Sequence, residues 1–268
     1  MAELKGPIIF TGGIGNIRAY YNKTLKRYIV STKGGSTKEM IKKNPAFARQ
    51  RENMTEFKEC AMWASQLRRS LFSIEHLYQG YYFSEIMALA KSIQKHDDIN
   101  LRGVRSIESS KDAVLLTGIN FNRFHPFDQV FSHKIEITFS EDKKTVTLKL
   151  LGFKSFSRIS WPVRFESYRI ALVIAQLPDF AWYEEKREFL PVAPGMERLS
   201  VTTLSDWRNV STNLEDIILT ATFPKPALQI PGTTVIVAMG IEVSMATGIA
   251  TGMNYSGTGT MKIVECFV

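Results

Sequence analysis

With 268 residues, 44% of them hydrophobic and 22% charged, the chain is long enough to bury a substantial core and too apolar for a disordered segment. Lys and Arg exceed Asp and Glu by 34 to 26, a net +8, and the surplus is local. Residues 1–51 hold eleven Lys or Arg against Glu3 and Glu39, which is +9, leaving about −1 for the rest. No window reaches 18 apolar residues and no secretory leader pattern is present, so no transmembrane segment and no Sec-type export are expected. The expected location is cytoplasmic at synthesis, with incorporation into an exported or particle-like assembly left open. Two cysteines, Cys60 and Cys266, are too few for a disulfide framework or a cysteine metal cluster and read as buried thiols.

In chain order, the stretch Thr11-Gly12-Gly13-Ile14-Gly15-Asn16 precedes two runs rich in aromatic and β-branched residues, Ile17 to Tyr21 and Arg27 to Val30. The polar residues between these runs predict a hairpin, and Ser31 to Lys43 reads as a flexible basic connector. A helix starts near Asn44-Pro45, where Asn caps and Pro needs no amide partner. Phe57, Cys60, Ala61, Ala64, Leu67, Leu71 and Ile74 then recur at helical spacing as one apolar stripe. Arg51, Glu52, Glu56, Lys58, Glu59, Arg68 and Arg69 are expected on the other sides. Ile86, Leu89, Ala90 and Ile93 predict a second helix ending before Asp97-Asp98, which completes a helical hairpin.

From Val104 onward the pattern becomes strand-like. Ala113 to Leu116, Ile135 to Phe139, Thr145 to Leu151, Tyr168 to Ile174, Leu214 to Ala221, Thr234 to Val243 and Met261 to Phe267 are the predicted strands, with Ser140 to Lys143 as a turn. Prolines at 162, 178, 191, 194, 224, 226 and 231 fall where these runs stop, at ends, edges or turns. Long helical patterns between the strands are missing, which argues against a parallel nucleotide-binding sheet. The expected class is α+β: a basic hairpin arm over 1–43, a helical hairpin over 44–98, and a predominantly antiparallel β-sandwich region over 104–268. That region reads as one sandwich or as two small β-domains divided near 156–163.

The motifs give catalysis little support. The glycines at 12, 13 and 15 lead into a strand and not a helix, and no Gly-Lys-Ser or Gly-Lys-Thr follows, so a backbone role outweighs phosphate binding. His76, His96, His125 and His133 lack metal-ligand spacing. Glu184, Glu185 and Glu188 alternate with Lys186 and Arg187 as a charged turn does, and Ser256 to Thr260 resembles a loop before the last strand. No nucleophile, base and orienting residue can be nominated together, and no cofactor is expected.

Interaction is the better reading. Gly12, Gly13, Gly15 and Asn16 would set the approach of the arm to another copy of the chain, and Tyr20, Tyr21, Tyr28 and Phe57 would make the contact. The rival reading is nucleic-acid binding, with Arg18, Lys23, Lys26, Arg27, Lys42 and Lys43 on phosphates and tyrosines stacked on bases. The pattern Gly13-x-Gly15-Asn16, the Tyr-Tyr hairpin, Asn44-Pro45-Ala46-Phe47-Ala48, Arg49-x-Arg51-Glu52-Asn53 and Glu56-Phe57 resembles an uncharacterised group of Bacteroidota proteins. The resemblance implies a Gly-Asn hairpin, a short helical segment and a carboxy-terminal β-region built as one construction. It implies no enzymatic activity and brings no catalytic or cofactor residues.

Overall fold

The computed structural model describes residues 2–4, 6, 9–80, 82–142, 144–152, 155–162, 164–196, 199–211, 216–224, 230–245 and 259–268. Leu214, the Lys225-Pro226 turn and Ser256 to Thr258 lie outside the described residues. The fold is α+β, with antiparallel pairing in every sheet. The chain divides into two compact units, residues 1–52 and 53–268.

The first unit holds β1 (Ala2–Glu3), β2 (Gly12–Ile14), β3 (Ile17–Asn22) and β4 (Arg27–Thr32) in the sheet order β1-β4-β3-β2. The expected hairpin is β3 with β4, Tyr21 lying opposite Tyr28. Gly15 and Asn16 form the two-residue loop between Ile14 and Ile17, which face each other across β2 and β3. Gly15 stands there at φ +53°, a conformation that glycine adopts without a Cβ clash and that closes such a loop. The segment Ser31 to Lys43 is not wholly a flexible connector, because it ends in α1 (Lys38–Lys43). Thr37 Oγ1 caps this helix by accepting from Met40 N at 3.2 Å, and Asn44 Oδ1 accepts from Ala46 N at 2.9 Å to start a 3-10 turn, Pro45–Phe47. The basic composition of the segment masked the capping threonine.

Helix α2 (Ala48–Ser70) crosses the division between the units, and a 3-10 turn, Phe72–Leu77, leads toward α3 (Tyr82–Gln94). Cys60, Ala64, Leu67, Leu71 and Ile74 are buried as the spacing predicts, joined by Trp63 and by Ile86, Ala90 and Ile93 of α3. Two expectations are corrected. Phe57 is 65% exposed, outside the buried stripe, whereas Glu56 and Glu59, expected toward solvent, are fully buried. A polar network described below takes up these carboxyl groups. Ala113–Leu116 is likewise a 3-10 turn and not a strand. Val114 is 77% exposed while Leu116 is buried, and a four-residue apolar run does not by itself separate the two conformations.

The remaining strands are β5 (Glu136–Phe139), β6 (Thr145–Leu150), β7 (Phe165–Pro178), β8 (Phe180–Tyr183), β9 (Glu188–Pro191), β10 (Ser200–Leu204), β11 (Arg208–Asn209), β12 (Ile217–Thr222), β13 (Thr233–Met245) and β14 (Gly259–Phe267). A large sheet has the order β10-β7-β13-β14 with β11 also on β7, a smaller one the order β12-β6-β5, and β8 pairs with β9. Pro178 and Pro191 end their strands, and Pro224 and Pro231 lie just outside β12 and β13, as a missing amide requires.

The large sheet is covered on both faces. Ala171, Val173, Ala175, Leu177, Ile236 and Ala238 pack with the helical residues, while Ile170, Leu172, Ile174, Val235, Val237 and Met239 pack with Val146, Leu148, Ile217 and Leu219 of the smaller sheet. The second unit is therefore layered as helices, large sheet, small sheet. Gly240 sets the spacing of the first two layers: a Cβ there would lie 2.7 Å from Leu77 Cδ1.

Gly240→Ala is expected to destabilise the protein by about 1–3 kcal/mol through overpacking. Leu77→Ala, which leaves a cavity, is expected to cost about 2–5 kcal/mol. Thermal or denaturant unfolding of the double variant should show less than the sum of the two losses. Full additivity would mean that some neighbour other than Leu77 sets the spacing.

Candidate interaction surface

The alternation of β3 and β4 sorts the N-terminal sheet into two faces. Ile14, Ile17, Ala19, Tyr21, Tyr28 and Val30 share one face by register, and Arg18, Tyr20, Asn22, Arg27, Ile29 and Ser31 share the other. On the apolar face Ile14 is 60% and Tyr21 46% exposed, and the Tyr21 ring meets Tyr28 edge-on with centroids 5.1 Å apart. Ala19 and Ile29, on opposite faces, are the only buried side chains among the described residues of this unit. Ile14, Ile17 and Val30 thus belong to the same surface as Tyr21 and Tyr28, two of the three expected tyrosines, a grouping legible in the period-two spacing of Ile17, Ala19 and Tyr21.

Tyr20 lies on the other face, where the Arg18 guanidinium stands 5.8 Å from its ring centroid and Arg18 Nε donates to Ser31 Oγ at 3.2 Å. Arg27 pairs with Glu3 at 3.4 Å. Lys23 and Lys26 occupy the exposed loop between β3 and β4, Lys26 at φ +50°, and Lys42 and Lys43 stand in the last turn of α1, where cations suit the helix dipole. Lys33 ties the glycine turn down, its N–H donating to Asn16 O at 2.7 Å and its Nζ to Gly15 O at 2.8 Å. Gly12 and Gly13 lie in β2, Gly13 against the Lys33 stem. Phe57 stands in the second unit, where with Phe83 and Met87 it lines an open, mostly apolar groove of about 870 Å³ between α2 and α3.

The four histidines all make contacts within the second unit. His96 Nδ1 is 2.8 Å from Asp112, His76 Nε2 is 2.9 Å from Glu242, His133 Nε2 is 2.7 Å from Leu151 O, and the His125 ring packs on Trp161. Glu184 accepts from Trp182 Nε1 at 2.7 Å within the turn of the β8–β9 hairpin. Burial pushes the Cys60 and Cys266 thiols up to about 12, far from a reactive thiolate. Among the described residues no group of three or more His, Cys, Asp or Glu could hold a metal ion.

The strongest electrostatic feature is buried between α2, α3 and the segment after Asp97. Glu56 accepts from Arg105 Nε at 2.7 Å and Nη2 at 2.8 Å, from Gly103 N at 2.9 Å and from Lys91 Nζ at 2.5 Å. Burial works to raise its pKa, but Arg105, the Gly103 amide and Lys91 outweigh it and hold the carboxyl at about 2. One turn on, burial raises Glu59 to about 9 against the opposing hydrogen bond from Gln94. Carboxyl groups pushed apart in this way are a signature of acid–base catalysis. Here both are closed off from solvent, and the Glu56 oxygens are occupied by cations and an amide, so the pair reads as a clasp on the helices.

The two carboxyl groups have opposite linkage to pH. Glu56, lowered, stabilises the fold above its ordinary 4.5 and loses that contribution as pH falls through about 2. Glu59, raised, contributes fully below 4.5 and progressively loses it as pH climbs through about 9. Glu59→Gln is therefore expected to flatten the decline in stability between these two values, where one retained proton is worth about 1.4 kcal/mol per pH unit. Denaturant midpoints measured across this range check the effect, and an unchanged slope would mean that Glu59 titrates as an ordinary carboxyl.

Comparison with protein-family models, with curated proteins and with solved structures found no match for this chain.

Proposed function

We propose that this is a non-enzymatic structural or interaction protein that assembles with other copies of itself through the sheet of residues 1–52. One observation carries the reading: the sheet turns Ile14, Ile17 and Tyr21 outward while only Ala19 and Ile29 are buried among the described residues of the unit. A small sheet gains stability by covering an apolar face, and a contiguous exposed apolar patch marks an interaction site. A second copy is the occupant proposed, with the tyrosine pair as its anchor, since aromatic side chains supply large contact areas at interfaces.

Nucleic-acid binding is the second reading, favoured by the grouping of Arg18, Arg27, Lys23 and Lys26 on the opposite face and its adjoining loop, with Arg18 over Tyr20. Chromatography with mass measurement at low and high salt separates the two. The full-length protein is expected to form an oligomer that survives high salt, and a variant lacking residues 1–43 is expected to run at a lower mass than the full-length assembly. Ile17→Ser with Tyr21→Ser should weaken association about tenfold or more. A monomer at both salt concentrations would sink the assembly reading, and salt-sensitive retention of single-stranded RNA or DNA would favour the second.

A further inference from the structure

The two sheets of the second unit differ in how their edges are finished. Thr203 Oγ1 donates to Thr220 O at 2.9 Å and ties β10 to β12. The outer side of β14 is met by residues 118–121, through Gly118 N to Ile263 O at 2.8 Å, Ile263 N to Ile119 O at 3.0 Å and Phe121 N to Met261 O at 3.1 Å. β5 is the edge of the smaller sheet. Ser140 N donates to Thr145 O at 2.9 Å, and in the same register Thr138 faces Thr147 and Glu136 faces Lys149. The alternation of an antiparallel ladder therefore turns the backbone groups of Thr138 and Glu136 toward β6 and those of Ile137 and Phe139 outward. Among the described residues no backbone group pairs with this outward row.

We infer that β5 is the contact edge of a two-fold dimer in which it pairs antiparallel with β5 of a second copy. This inference is independent of the N-terminal sheet. The edge carries no proline and no inward-pointing charge, devices that commonly block such pairing. With Thr138 on the two-fold axis, Ile137 falls opposite Phe139 of the second copy, and Lys134 runs toward the second copy's β5–β6 turn, where Asp142 Oδ1 accepts from Ser140 Oγ at 2.5 Å and from Lys144 N at 3.0 Å. One opposite-charge pair, Lys134 with Asp142, is thereby brought near on each side of the axis. Phe139 is 38% exposed and already packs edge-on against Phe267, ring centroids 4.2 Å apart, so the incoming Ile137 would extend an existing apolar contact. Lys134 lies 2.9 Å from Glu136 of its own strand, but its side chain is 80% exposed, and such a pair holds it weakly.

The register makes the test specific. Thr138 on the axis would be a non-hydrogen-bonded pair with Cα atoms about 4.5 Å apart. That separation lies within disulfide reach of about 4.4–6.8 Å. Full-length protein carrying Thr138→Cys is expected to form a covalent dimer under mild oxidation on a non-reducing gel, while the parent and Thr220→Cys, on the tied side, remain uncrosslinked. Lys134→Glu and Asp142→Lys should each weaken association about tenfold or more. The two together should restore it, because the pair is then reversed. An uncrosslinked Thr138→Cys variant whose thiol still reacts with a maleimide would overturn the inference, as would a double variant no better than the singles.

Discussion

Over their central residues strands β7 and β13 have no polar face. Each presents apolar side chains alternately to the helices and to the smaller sheet, so neither side can be left to water. That requirement sets the layering of the second unit. The helices close one side, β12, β6 and β5 close the other, and the one-turn helix Phe127–Val130 adds Phe127 and Val130 to the second core. The close fit of Leu77 on Gly240 and the clasp around Glu56 both act on the helical side of this arrangement.

Much of this was legible in the residues. The mainly apolar runs Ile170 to Leu177 and Val235 to Val243, interrupted by Gln176 and by Gly240 and Glu242, mark strands buried on both faces, and the stripe from Cys60 to Ile74 marks the helix that covers them. What escaped were features whose cause lies far away in the chain. Glu56 reads as a solvent-facing helix residue until Arg105, nearly fifty positions on, supplies its partner. Phe57 reads as core because its spacing fits, yet it falls just outside the arc that the sheet covers. At Ala113–Leu116 an apolar run too short to show a period became a 3-10 turn.

The N-terminal sheet obeys the opposite rule. Its strands sort side chains onto two faces, and among the described residues of the unit only Ala19 on one face and Ile29 on the other are buried. The sequence pointed to the tyrosines by type, and only the register separates Tyr21 and Tyr28 from Tyr20. Its glycines are likewise explained by the backbone, with Gly15 at the turn and Lys33 bonded to its carbonyl.

The seam between β10 and β12 also bears on how the protein behaves when crowded. A sheet with two free margins can add neighbours on both sides and grow into a fibre. With Thr203 fastened to Thr220 at one margin and residues 118–121 lying along part of β14, the β5 margin of the second unit's two large layers is one along which no outward backbone group pairs among the described residues. If two copies met there, each would use up the same margin, and the stitching at the far side would keep these two layers from adding a third.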